Sequence, residues 1–122
     1  RMKVFLMKKK KIYLSDRKKK FYFLISDIVD KKFFRRYELN LITSKEVKSL
    51  KKDCFIFIII NDFDDVITLI DLVFFTKNIF IIVTDEYVYA RMNVLNSFKI
   101  VYINSKNNNL ISEINLFLNP II

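Results

Sequence analysis

The side chains able to do chemistry in this chain sit where its apolar runs stop. Cys54 to Ile60 is seven apolar residues without a break, and it ends abruptly in Asn61-Asp62. Ile12-Tyr13-Leu14 enters Ser15-Asp16, Ile79 to Val83 closes in Thr84-Asp85-Glu86, and Lys99 to Ile103 closes in Asn104-Ser105. Two expectations follow for these positions. Asp16, Asp62 and Asp85 can cap the helices that follow, because a short carboxylate accepts from the N–H groups that a first helical turn leaves bare. Alternatively they belong to a site, because sheets of parallel strands build their sites at the carboxyl ends of those strands. A run with no polar alternation has no solvent face, so Cys54 to Ile60 reads as a central strand buried on both sides. Asp62 therefore stands where function is expected.

Composition removes other chemistries. The chain has no His, no Gly, one Pro and one Cys. Zinc sites and Ser-His or Cys-His catalysis lack their residues, and Gly-rich phosphate loops, dinucleotide fingerprints and nucleophile elbows lack their glycines. No catalytic residue, metal site, cofactor or small-molecule substrate is expected, and the chain reads as non-enzymatic. Cys54, alone inside a core strand, reads as a small buried hydrophobe in a reducing compartment. No apolar run approaches the roughly 18 residues that span a bilayer, and residues 1–11 have too short an apolar stretch for a signal peptide. A soluble cytoplasmic protein is the expectation, with no membrane partner.

At 122 residues the chain is long enough for one domain with a real core and too short for two. Residues 1–9 hold Val4-Phe5-Leu6-Met7 ahead of a lysine run and read as either a leader or a first strand, with the domain proper over 10–122. Charge is uneven. Residues 1–53 carry 18 Lys and Arg against 6 Asp and Glu, a net +12, and residues 54–122 carry 4 against 7, a net −3. The excess either solubilises a chain that is 52% apolar or forms a basic patch of Lys18, Lys19, Lys20, Lys31, Lys32, Arg35 and Arg36. With Phe21, Tyr22 and Phe34 interleaved, that patch is the feature a nucleic-acid-binding module would use.

The elements that position these residues alternate. Ile12 to Leu14 is a short strand, and Arg17 to Asp30 reads as a helix capped by Asp16, with Phe21, Leu24, Ile25 and Ile28 on its apolar face. Lys18 to Lys20 in its first turn oppose the helix dipole. Tyr37 to Ile42 alternates and reads as a strand near an edge, followed by a short helix that Thr43 or Ser44 caps with Glu46 in a capping box. The central strand comes next. Val66, Ile67, Leu69, Ile70, Val73 and Phe74 mark a helix; Ile79 to Val83 a strand; Tyr87 to Phe98 a helix with Val88, Met92 and Leu95 inward; Lys99 to Ile103 a strand; and Leu110 to Leu118 the last helix, ahead of Pro120. Five strands alternating with five helices predict an α/β three-layer sandwich, a flavodoxin-like (βα)5 fold with a parallel sheet in the order 2-1-3-4-5.

Strand ends carrying acid, acid, Thr and then a polar residue resemble the receiver domains of bacterial response regulators in two-component systems. The resemblance covers residues 10–119 as topology, and its motifs are partly filled. Ser15-Asp16 matches one acid of the family's usual pair. Asp62, or Asn61 in a register one residue shorter, falls at the phosphoacceptor, and Thr84 falls at the hydroxyl position. The Lys position falls on Asn104, with Lys106 two residues on and no Pro. The Met-Pro and Asp-Gly loop that follows the phosphoacceptor is missing, and Phe63-Asp64-Asp65 runs straight into the helix. Losing an acid weakens Mg²⁺ binding, and losing the Lys leaves an acyl phosphate unpaired.

The resemblance thus implies a pseudo-receiver, the phosphorylation-deficient kind found at the amino end of LuxR-type transcription regulators. The implied function is non-enzymatic regulation of transcription by dimerisation or by docking another regulator, with DNA reached only through an attached or partner domain. The chain is then an isolated regulatory domain or part of a longer regulator. The alternatives are a phosphoaccepting receiver using Asp62 and a basic nucleic-acid-binding module. Self-association is expected through the fourth helix, fifth strand and fifth helix, where Tyr87, Tyr89, Arg91, Tyr102 and Glu113 offer aromatic groups and both signs of charge.

Overall fold

The computed structural model describes residues 10–33, 37–43, 46, 50, 54–74, 76–92, 97–103 and 110–118. Among them are five strands and four helices: β1 (Lys10–Ser15), α1 (Tyr22–Phe33), β2 (Tyr37–Leu41), β3 (Phe55–Ile60), α2 (Phe63–Val73), β4 (Ile79–Val83), α3 (Glu86–Met92), β5 (Lys99–Tyr102) and α4 (Leu110–Leu118). The strands form one all-parallel sheet in the order β2-β1-β3-β4-β5, the flavodoxin-like arrangement expected from the sequence.

Strand periodicity divides the core in two. Phe57 and Ile59 of β3 and Phe80 and Ile82 of β4 point to one face, where Ile25, Ile28 and Val29 of α1 and Leu110, Ile114 and Leu118 of α4 cover them. Ile56, Ile58 and Ile60 of β3 and Ile79, Ile81 and Val83 of β4 point to the other, under Leu69 and Leu72 of α2 and Val88 and Met92 of α3. Covered on both faces, β4 is buried throughout and β3 at every position but the first. Full burial of each such side chain is worth about 1.5–3 kcal/mol, which is why two continuous apolar runs suffice to place the centre of the sheet. Phe117 of α4 sits among Phe55, Phe57 and Phe80 with ring centroids 5.5, 5.6 and 5.2 Å away. β2 lies at one edge, as its alternation predicts, and the Tyr37 hydroxyl donates to the Leu118 carbonyl at 3.2 Å. Cys54 is buried in the second core, as expected of a small hydrophobe.

The first helix departs from expectation. It begins at Tyr22, five residues after Arg17, because residues 16–21 are drawn into a turn. The Asp16 carboxylate accepts the Phe21 N–H at 2.8 Å, the Lys19 N–H donates to the Asp16 carbonyl at 2.9 Å, and Lys19 takes a left-handed φ of 56°. A residue at that φ cannot sit inside a right-handed helix. Lys18 to Lys20 therefore occupy the turn, and no lysine opposes the dipole in the first turn of α1. The buried face also shifts to Ile25, Ile28 and Val29, leaving Leu24 exposed. The helix expected after β2 falls mostly outside the described residues, but its capping box is visible: the Thr43 N–H donates to the Glu46 carboxylate at 2.9 Å. The leader or first strand expected in residues 1–9 also lies outside them.

Candidate functional site

The sheet order reverses between β1 and β3, and the carboxyl ends of these two strands deliver Asp16-Arg17 and Asn61-Asp62 to the same crevice. Asp62 is the N-cap of α2, its carboxylate accepting the Asp64 N–H at 3.1 Å. Arg17 then clamps it. Nη2 of Arg17 donates to both oxygens of Asp62 at 2.9 Å, while Nε donates to Oδ1 of Asp65 at 2.8 Å. The planar guanidinium can serve two carboxylates at once because its donors project in fixed directions. Asp65 is buried, and its second oxygen accepts the Asn61 N–H at 2.8 Å. Lys18 adds a looser contact to Asp62 at 3.9 Å.

Partial desolvation pushes the Asp62 carboxyl up, but the hydrogen bonds and charge of Arg17, the Asp64 N–H and Lys18 outweigh it and hold the group below its ordinary range. Arg17 is raised, first by its hydrogen bond to Asp65 and then by that to Asp62.

The two registers considered for the phosphoacceptor separate here. Thr84, one residue past β4, donates from Oγ1 to the Asn61 side-chain oxygen at 2.8 Å. Asn61 is buried and faces the sheet end, whereas Asp62 turns outward to α2 and Arg17. The group that meets the hydroxyl is thus a carboxamide. Asp16, 3% exposed, lies in the same crevice and uses one oxygen on Phe21, while its Oδ1 has no hydrogen bond among the described residues. Asp85 caps α3 through the Val88 N–H at 3.0 Å. The cap expectation holds for Asp62 and Asp85, and Asp16 caps a turn instead of a helix. Asn104 lies outside the described residues.

Arg17 and Asp65 carry this arrangement, and the sequence reading singled out neither. A signal existed: Asp62 and Asp65 have the spacing of a capping box, and Arg17 is the only Arg in a run of lysines at a strand end. Among the described residues no group of three or more His, Cys, Asp or Glu side chains is placed to hold a metal ion.

The other expected surfaces are partly assembled. Tyr87 is exposed, with the Arg91 guanidinium 3.4 Å above its ring, and Tyr89 stacks on Tyr102 at 5.3 Å. Lys99 and Glu113 form an ion pair at 2.6 Å. Lys18, Lys19 and Lys20 lie in the turn before α1, while Lys31 pairs with Asp27 at 3.3 Å, about 14 Å further along the helix. The side chain of Lys32, and Arg35 and Arg36, lie outside the described residues. No helix among the described residues is long and apolar enough to cross a membrane. Comparisons with protein-family models, with curated proteins and with solved structures return no match to this chain.

Proposed function

We propose that this domain is a receiver-like regulatory module that works by docking without being phosphorylated, and that it serves a transcription regulator. One observation carries the reading: the strand-end carboxylate that could accept a phosphoryl group is already paired in two directions with the guanidinium of Arg17. A cation fixed to the chain bridges Asp62 and Asp65 and offsets one of their two charges, with Lys18 at 3.9 Å from Asp62 as a looser second partner. The residue facing Thr84 is Asn61, whose amide is not a nucleophile for phosphoryl transfer. Both features support a crevice held in one state. A direct DNA-binding role has less support, since Lys18 and Lys31 face carboxylates.

Acetyl phosphate with Mg²⁺ tests the proposal. The expected result is an intact protein of unchanged mass. A gain of one phosphoryl group that disappears in Asp62→Ala overturns it in favour of a phosphoaccepting receiver.

A further inference from the structure

Helix α2 is apolar on two opposite sides. Leu69 and Leu72 bury against the sheet, while Phe63, Ile67, Ile70 and Phe74 stand away from it at 47, 64, 51 and 86% exposure. Their spacing of four, three and four residues is the spacing of a coiled-coil seam, so they form one straight stripe about 16 Å long. Single exposed apolar side chains are ordinary, but an aligned row of four is the mark of a contact surface. The stripe continues onto α3, where Tyr87 meets the Phe63 ring edge-on at 6.0 Å.

Charge selects the occupant. Asp64 and Asp71, each one position past a stripe residue, run along one side of the row, both exposed, and α2 has no basic residue in its last turn to offset them. On that same side opens a cleft of about 930 Å³ between α2 and the ends of β1 and β2, lined by Ile67 and by four carboxylates, Asp16, Asp64, Asp65 and Asp71, against two cations, Arg17 and Lys19. Arg17 is already paired with Asp65, so acid remains in excess. Asp16 brings the buried carboxylate oxygen that has no donor among the described residues. A second copy laid antiparallel on this helix would set Asp64 and Asp71 against their own equivalents, and a nucleic acid or an anionic membrane would meet the same acids. What fits is a helix with an apolar ridge at the same spacing and lysines or arginines beside it.

Resting on the reading of the domain as a docking module, we infer that α2 and its cleft receive a basic amphipathic helix of a partner protein, whose cationic side chains reach Asp64, Asp71 and Asp16. The test uses the whole chain and a labelled 18-residue peptide with leucines at the seam positions and lysines beside them, followed by fluorescence anisotropy. Binding should weaken about tenfold or more in Ile67→Glu and in Ile70→Glu, and about threefold or more in Asp71→Asn. A peptide with glutamates in place of the lysines should bind at least about tenfold more weakly. Equal affinity for the two peptides overturns the inference, as does affinity untouched by the Ile67 and Ile70 changes. Self-association of the chain that Ile67→Glu abolishes, with no peptide bound, assigns the stripe to a second copy and also overturns it. None of these results alters the acetyl phosphate experiment, so the surface and the regulatory reading fail separately.

Discussion

Asp62 and Asp65 lie three residues apart and share one guanidinium, yet their situations differ. Asp65 is buried and accepts two donors, so Asp65→Asn sets an amide N–H against a donor and should cost about 1–3 kcal/mol, read from the urea unfolding midpoint. Asp62 is exposed enough to stay screened, and its effect appears in the pH dependence. Its folded carboxyl titrates below the ordinary 3.8, so its contribution is fully present above that value and is lost as pH falls through the lower folded value. Stability should therefore decline on acidification below about pH 4, and Asp62→Asn should make that acid limb shallower. The unfolding midpoint measured across pH 2–6 checks both, and an unchanged limb in the variant removes Asp62 from the account. Asp62 was legible in the sequence because it ends a run of seven apolar residues. Arg17 was not, because a lone cation beside a strand end carries no periodic signal, and its partners lie 45 and 48 residues away.

α2 shows how far hydrophobic pattern reaches. An apolar residue on almost every side identified the helix, but pattern alone does not say which side faces the sheet. Register decides it: Asp62 caps the helix, α2 starts at Phe63, and Leu69 and Leu72 come to lie over β3 and β4. Leu72→Ala should destabilise the domain by about 2–5 kcal/mol, whereas Ile67→Lys and Phe74→Lys should move stability by no more than about 0.5 kcal/mol. Thermal or urea unfolding of the three variants distinguishes a core residue from the exposed stripe, and a large loss in Ile67→Lys would show that the stripe is covered within the chain. The strands were legible almost to the residue because β3 and β4 need no alternation to reveal them. The start of α1 was missed because the turn depends on two backbone details, the Asp16 cap and the left-handed Lys19, which a helical wheel does not register.

At the scale of the molecule, the described residues present two surfaces for association: the α2 stripe, and the face formed by α3, β5 and α4. We propose that the second face pairs copies of the chain about a twofold axis, since Tyr87 and Arg91 are exposed there beside the stacked Tyr89 and Tyr102. Sedimentation at micromolar concentration should give a dimer that Tyr102→Ala or Arg91→Glu dissociates, and a monomer indifferent to both changes would sink the proposal. The strand order has a consequence during synthesis. β1 pairs with β3 across 43 positions, from Ile12 to Phe55, so β1 must wait for all of the intervening chain and β3 itself to leave the ribosome before the centre of the sheet can close. Until then Phe55 to Ile60, six residues of high β propensity with no charge and no Pro, is available to the same segment of a neighbouring chain. Lys51, Lys52 and Asp53 before it and Asp62 after it are the charges that gatekeeping requires. Neutralising Lys51 and Lys52 should reduce the yield of soluble protein by more than any change in the urea unfolding midpoint of the purified fold accounts for, whereas Asp62, which also caps α2, should affect both.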